Sequence, residues 1–478
     1  MKKLLPYLLV IITICLLNLS CKRKVDYTQG PDGAKVKELR EKIKHVILIY
    51  QENWSFDGLF GYYPDKRVNN LLRGNFNKQV SRKGQPLDVV PIPEIEKTYK
   101  WNGKDTTVDT IDYRFLDLNK KHPGAVPYDL NEFISSTADT VTGDIVHRYY
   151  TEMLQIDGGK MDKFVAWSDN GGLVMSYYND TTLPEERLAK KYTLCDNFFH
   201  SAMGGSFLNH MWLVAAQTPY RKDAPWTKRS DIQSDKLKKY DNQYTPDGYA
   251  INTLYSVNQP HPKGIADSFL LPNLTMPTIG DRLNDAGQSW AWYSGGWDAA
   301  LTGDDQHEYF QYHHQPFVYF ENYKDGSENK KKHLKDEKEF YSALNGNDLP
   351  SVCFIKPLGI NNEHPGYANL LRGQKHVDSI VQQVMKSKYW ESSVIIIAYD
   401  EHGGRYDHVA PPKIDRWGPG SRVPCIVISP YAKANYVDST QYETVSILKL
   451  IESLYDLPPL SSRDSLANNM LNAFDLKQ

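Results

Sequence analysis

An α/β fold is what this sequence predicts: a central, mostly parallel sheet flanked by helices, with inserted cap segments above it. Three observations carry the prediction. Two runs, His45–Tyr50 and Ser393–Tyr399, are almost continuously apolar and β-branched, as strands are when both faces of a parallel sheet are covered. Helical patterns lie between and after them. Val377–Lys386 is amphipathic, and Thr444–Tyr455 places Ile447, Leu448, Ile451 and Leu454 on one face. Strand–helix alternation at both ends of the chain therefore argues for a layered sandwich.

Ser351–Lys356 and Val423–Ser429 are weaker strand candidates. Residues of about 66–140 and about 220–345 are polar, Tyr-rich and dense in turn formers, and read as insertions capping the sheet. At 478 residues the chain can form one large domain with such insertions. The expected organisation is residues 1–20 as a signal peptide, 21–40 as a polar tether, and 41–478 as the functional domain.

The amino terminus has the form of an export signal. Met1-Lys2-Lys3 is followed by the apolar run Leu4–Leu19, then Ser20-Cys21 and the basic Lys22-Arg23-Lys24. Cys21 after a small residue fits lipidation after cleavage, giving a periplasmic or outer-membrane-anchored lipoprotein; plain secretion is the other reading. Cys195, Cys353 and Cys425 are too widely spaced, in apolar sequence, for a disulfide framework and read as core. A formal charge of -2 gives no nucleic-acid footprint.

Both strong strands run into acids. The first ends in Gln51-Glu52-Asn53, the second in Asp400-Glu401-His402-Gly403-Gly404. Sites in open α/β sheets form beyond the carboxyl ends of the strands. Glu-Asn and Asp-Glu delivered to one edge can build a hard oxygen cage, which suits Ca²⁺, Mg²⁺ or Mn²⁺ better than a soft metal. Gly204-Gly205-Ser206 then opens a helical stretch. Ser206 at a helix N-terminus meets free backbone N–H groups and a dipole that favours anions. Beside a cation its hydroxyl would be an activated nucleophile. Spacing alone singles out none of the 14 histidines.

Together these segments resemble the phosphoesterase family of bacterial phospholipases C and acid phosphatases, within the alkaline phosphatase superfamily. The resemblance rests on Gln51-Glu52-Asn53-x-Ser55-Phe56-Asp57, Tyr399-Asp400-Glu401-His402-Gly403-Gly404 and Gly204-Gly205-Ser206, with further matching stretches from residue 44 to residue 412. It implies an alkaline-phosphatase-like sandwich and one metal held by Glu52, Asn53, Asp400 and Glu401, with the Ser206 hydroxyl close to it. It also implies His147, His314 and His364 around the phosphoryl group. His364 is the expected acid, His313 a lesser alternative to His314, and Asn209 is placed to reach a phosphate oxygen. Trp54 stands where the family pattern has Arg, a difference expected at the local surface or a substrate contact.

The expected activity is hydrolysis of phosphoric esters through a covalent phosphoserine, acid-phosphatase-like, on a small-molecule or lipid substrate. A phospholipase C-type phosphodiesterase is the alternative. A sulfatase-like site would need a Cys/Ser-x-Pro-x-Arg pattern, which Ser206-Phe207-Leu208 lacks. A non-catalytic glycan- or partner-binding lipoprotein would be expected to have lost the nucleophile or an acid, and neither is lost.

Overall fold

The computed structural model describes residues 25–73, 76–101, 104–233, 241–303 and 309–477. The expected signal peptide and Cys21 lie outside them. Among the described residues no helix is long and apolar enough to cross a membrane.

Eight strands form the central sheet. They are β1 (His45–Gln51), β2 (Thr193–Cys195), β3 (Trp290–Ser294), β4 (Leu334–Asp336), β5 (Val352–Lys356), β6 (Ser393–Tyr399), β7 (Cys425–Ile428) and β8 (Tyr436–Asp438). Their spatial order is β4-β3-β5-β1-β6-β7-β2-β8. Every pair is parallel except the two made by β7. The two apolar runs are neighbours at its centre, in a register that sets Gln51 beside Tyr399. Val46 to Tyr50 and Val394 to Tyr399 are all buried, as a strand covered on both faces requires.

The helices that position the site are α1 (Gly33–Lys42), α2 (Tyr149–Ile156), α3 (Pro184–Lys191), α4 (Ser206–Ala215), α5 (Leu370–Lys386) and α6 (Thr444–Tyr455). In α6 the apolar face Ile447, Leu448, Ile451 and Leu454 is buried and packs against α4. Each such side chain contributes roughly 1.5–3 kcal/mol on burial, so the helix carrying Ser206 is firmly backed. Cys195, Cys353 and Cys425 are buried and free.

Two expected boundaries differ. The polar tether was expected to run through residue 40, but Gly33–Lys42 is helical and docked, with Val36 and Leu39 buried. Arg40 anchors it, bonding Asp456 at 2.6 Å and the Ser453 carbonyl at the end of α6. Its charged outer face hid a two-residue apolar face too short to read as a pattern. The second insertion, about 220–345, contains β3 and β4. Trp290 and Trp292 of β3 are buried; aromatic residues suit strands, but the polar, turn-rich sequence around them masked a run of five residues. The first insertion lies outside the main sheet and carries an antiparallel ribbon, Glu94–Trp101 with Lys104–Ile111.

Candidate active site

The turn before α4 is tightly nested. Gly204 has φ of 101°, a conformation that favours glycine, and a Cβ there would meet the Tyr149 nitrogen at 2.8 Å. At Gly205 a Cβ would meet the His147 carbonyl oxygen at 2.8 Å. Both glycines are needed for the turn to lie against residues 147–149. Gly205 is the N-cap and Ser206 the first residue of α4. The buried Glu152 carboxylate of α2 braces this turn from below. It accepts the Gly204 N–H at 2.6 Å and the Ser421 N–H at 2.8 Å. His200 Nε2 donates to it at 3.0 Å, and His402 Nε2 stands 3.6 Å away.

At the edge where β1 and β6 end, Glu52, Asn53, Asp400 and Glu401 are brought together, all fully buried. Asn53 adopts a positive φ of 63°, which Asn tolerates. Its N–H donates to Asp400 Oδ1 at 3.1 Å. Gly403 must be glycine here, since a Cβ would meet the Asn53 oxygen at 2.1 Å. The Ser206 hydroxyl donates to Glu52 Oε2 at 3.0 Å and lies 3.4 Å from Asn53 Oδ1.

The other Glu52 oxygen, Oε1, touches the Lys356 ammonium and lies 3.0 Å from His314 Nε2. Burial alone would raise the Glu52 carboxyl; Lys356 and His314 reverse this and hold it well below the usual range. Burial, and then the Glu52 charge, push Asp400 up to about 7. Burial and Asp400 push Glu401 well above the ordinary carboxylate range. Asp400 Oδ2 and Glu401 Oε1 are buried without hydrogen-bond partners. Adjacent buried carboxylates with unpartnered oxygens and mutual repulsion could hold a metal ion.

Three of the expected histidines face this centre. His147 and His364 each direct Nδ1 to a carbonyl oxygen, of Ile145 and Pro365 respectively, both at 2.5 Å. That fixes the tautomer and leaves Nε2 toward the site. There they take the Asn53 amide, at 3.3 Å for His147 and 2.9 Å for His364. Burial pushes His314 down to about 4. His313 also lines the site, and burial and then His314 hold its imidazole well below its ordinary value.

Asn209 is elsewhere. Its amide is fully engaged with the backbone of Ala202 and Gly204, and it braces the Ser206 turn rather than reaching a phosphate. Trp54 is likewise no surface contact: it is buried, its indole N–H bonds the Glu363 carbonyl at 3.1 Å, and the Arg405 guanidinium stacks on it at 4.0 Å. The Arg expected at that position is replaced by an aromatic platform for an Arg from another segment.

The sequence reading missed Lys356, His210 and Glu152. Lys356 ends β5, next to β1 on the same sheet edge, so the strand-end rule that found Glu52 also applies to it. His210 is four residues after Ser206, on the same helical face; its Nδ1 donates to the Ser206 carbonyl at 2.7 Å. Glu152 carries no sequence signal beyond being an acid in an otherwise apolar helix.

Ser206, His147, His314 and His364 line one cavity of about 580 Å³. The cavity wall is acidic: Glu94, Glu96 and Asp109 of the ribbon line it with Asp144 and Asp169. Among the described lining residues Arg148 is the single guanidinium or ammonium, and it donates to the Asp241 carbonyl at 2.7 Å.

Phospholipase C B of Mycobacterium tuberculosis is 24% identical over 488 residues, covering 91% of this chain and 78% of that protein. The non-hemolytic phospholipase C of Pseudomonas aeruginosa is 21% identical over 474 residues, covering 91% of this chain and 57% of its own length. A solved protein of the alkaline phosphatase superfamily from Vibrio parahaemolyticus covers 59% of the chain and 62% of its own at 9% identity, with a TM-score of 0.32, a likeness too slight to carry an argument. The Phosphoesterase family itself matches residues 43–458, from the first residues before β1 to the end of α6 and so across every element that builds the cavity; the chain belongs to that family and is a phosphoric ester hydrolase.

Proposed function

We propose that the chain hydrolyses phosphoric esters through a phosphoserine on Ser206, at a centre where Glu52, Asn53, Asp400 and Glu401 hold one divalent ion. The observation that carries this reading is the Ser206 hydroxyl. It sits at the first position of α4, within the cavity, and donates to Glu52 at 3.0 Å. A bound cation would lower the pKa of that hydroxyl and polarise a phosphoryl oxygen. The α4 N-terminus favours the negative charge that develops on the phosphoryl oxygens.

Ser206 Oγ bonds to phosphorus, and its proton leaves along the existing bond toward Glu52. The bond from phosphorus to the leaving oxygen breaks, and that oxygen takes a proton from His364 Nε2, which must first exchange the Asn53 amide for a proton. His364, now neutral, accepts a proton from water as that water attacks the phosphoserine; the bond from phosphorus to Ser206 Oγ breaks, and Ser206 Oγ takes its proton back from Glu52. His147, His314 and His313 hold the remaining phosphoryl oxygens.

For the substrate, the cavity favours a phosphodiester with a cationic or neutral group over one with a second anion. The cavity wall carries these five carboxylates and the single Arg148. A phospholipase C-type reaction on a zwitterionic lipid suits that wall, as do the names of the relatives. An acid-phosphatase-like phosphomonoesterase is the second reading, favoured by the histidines around the phosphoryl position, which suit a dianion. Membrane attachment through lipid on Cys21 would bring a diester substrate to the enzyme. Assays with phosphatidylcholine, a simple diester and a monoester, each followed by acid quenching, test both levels. Phosphate trapped on Ser206 is expected. Turnover without any covalent phosphate would sink the mechanism, and monoester-only turnover would sink the diester reading.

A further inference from the structure

Glu52 has two environments. Its Oε2 oxygen faces Ser206 and the cage of Asn53, Asp400 and Glu401. Its Oε1 oxygen faces the other way, into a second nest. There the donor atoms of Glu52, His210 and His314 all lie within 4.8 Å of one another, and all three residues are buried. Glu52 Oε1, His210 Nε2 and His314 Nε2 each lack a hydrogen-bond partner of good geometry. His210 is fixed through Nδ1 to the Ser206 carbonyl, the outer-shell arrangement usual for a ligating imidazole. The two rings stack nearly parallel, with centroids 5.3 Å apart. Two imidazoles and one carboxylate oxygen are a metal-ligand set, and a carboxylate shared between two ions is how paired centres are commonly built.

That nest already holds a cation. Lys356, fully buried at the end of β5, brings its ammonium into contact with Glu52 Oε1. It also lies 3.4 Å from the Gln51 carbonyl oxygen, so it is held from the sheet edge itself. The charges balance with it in place. Glu52, Asp400 and Glu401 carry three negative charges; one divalent ion and one ammonium carry three positive. A second divalent ion beside Lys356 would meet unscreened repulsion in a dry site.

We propose that Lys356 is a built-in cation occupying a second metal subsite formed by Glu52, His210 and His314, and that it limits the centre to one divalent ion. The inference rests on the metal reading above. Lys356 is in this role a positioning residue: it acts through Glu52, whose free oxygen it leaves to Ser206 and the ion.

The test counts metal and reads its ligands. Wild type and Lys356→Met are dialysed against Co²⁺, freed of loose ion, and assayed for cobalt per chain and for visible absorption. Wild type is expected to hold one equivalent with the weak absorption of an oxygen-ligated ion. Lys356→Met is expected to hold two, with new, stronger bands from imidazole-ligated cobalt. Lys356→Arg should stay at one. Lys356→Met/His210→Ala should return to one and lose the new bands. Lys356→Gln serves in place of the Met variant if that does not fold. One equivalent in both uncharged variants, or two in wild type, overturns the inference while leaving the metal centre standing. No bound ion in wild type removes both.

Discussion

Tyr399 Oη lies 2.6 Å from Glu363 Oε2 and 3.0 Å from Glu185 Oε2, deep beneath the active-site edge. Gln51 donates to the other Glu363 oxygen at 2.7 Å. Gln51, Tyr399 and Glu363 each directly precede a site residue, namely Glu52, Asp400 and His364. One buried network thus ties the ends of β1 and β6 to the segment that carries His364. Burial pushes Glu363 up to about 7, and burial and then Glu363 push Glu185 well above the carboxylate range.

This gives a pH dependence of stability. These carboxyls are raised in the folded protein above the 4.5 of a free glutamate. Their contribution is therefore complete below pH 4.5 and is lost as pH rises through about 7. Glu186 (burial, then Asp180), raised to about 8, and Glu452 (burial, then Asp464), raised to about 10, act with the same sign. The melting temperature of the metal-free protein should fall from pH 5 to pH 8. Glu363→Gln should flatten that slope; an unchanged slope would show that Glu363 does not hold the proton.

Removing the nucleophile should be the severest single change. Ser206→Ala is expected to lower kcat by on the order of 10⁴-fold or more while metal binding persists. Retained turnover on phosphoesters would point instead to direct attack by water.

His364→Ala should separate substrates by leaving group. A loss of roughly 10²–10⁴-fold is expected for alkyl leaving groups, and far less for nitrophenyl esters, whose leaving oxygen needs no proton. Equal losses would take His364 out of the acid role.

Glu152→Gln should loosen the Ser206 turn. Its carboxylate receives two backbone N–H groups, His200 and the Ser421 hydroxyl, and a neutral amide cannot accept from all of them. Leaving His200 without its buried partner should cost about 3–5 kcal/mol of stability. Below the variant's melting temperature kcat should drop with little change in KM, and Glu152→Asp should restore part of it. A variant with normal kcat would make Glu152 a stability residue only.

Mass spectrometry of the membrane fraction of an expressing cell should find the mature chain beginning at a lipid-modified Cys21. An unmodified start at residue 22 or beyond would leave export standing without the anchor.

The sequence made the central strands legible because β1 and β6 are covered on both faces, and nothing polar interrupts them. Their acids were legible for a related reason: an acidic pair after a buried strand has no solvent to face. Ser206 was legible only once the Gly-Gly turn, the helix and the family pattern coincided. Asn209 was misread because helical spacing gives the face of a side chain but not whether backbone acceptors nearby will claim it. Lys356 escaped because a lysine at a strand end ordinarily reads as a solvated terminus. β3 escaped because its strand signal is five residues long inside a polar insertion.

The acidic wall of the cavity bears on how fast molecules come and go. Glu94, Glu96, Asp109, Asp144 and Asp169 line the cavity, and their summed potential acts beyond contact distance. An approaching dianion climbs that potential, whereas a zwitterion can present its cationic end first. An anionic phosphate product, once released, would be driven outward. Ionic strength then acts oppositely on the two substrate types: salt screens the wall, so it should speed the association of anionic esters and leave that of zwitterionic ones nearly unchanged.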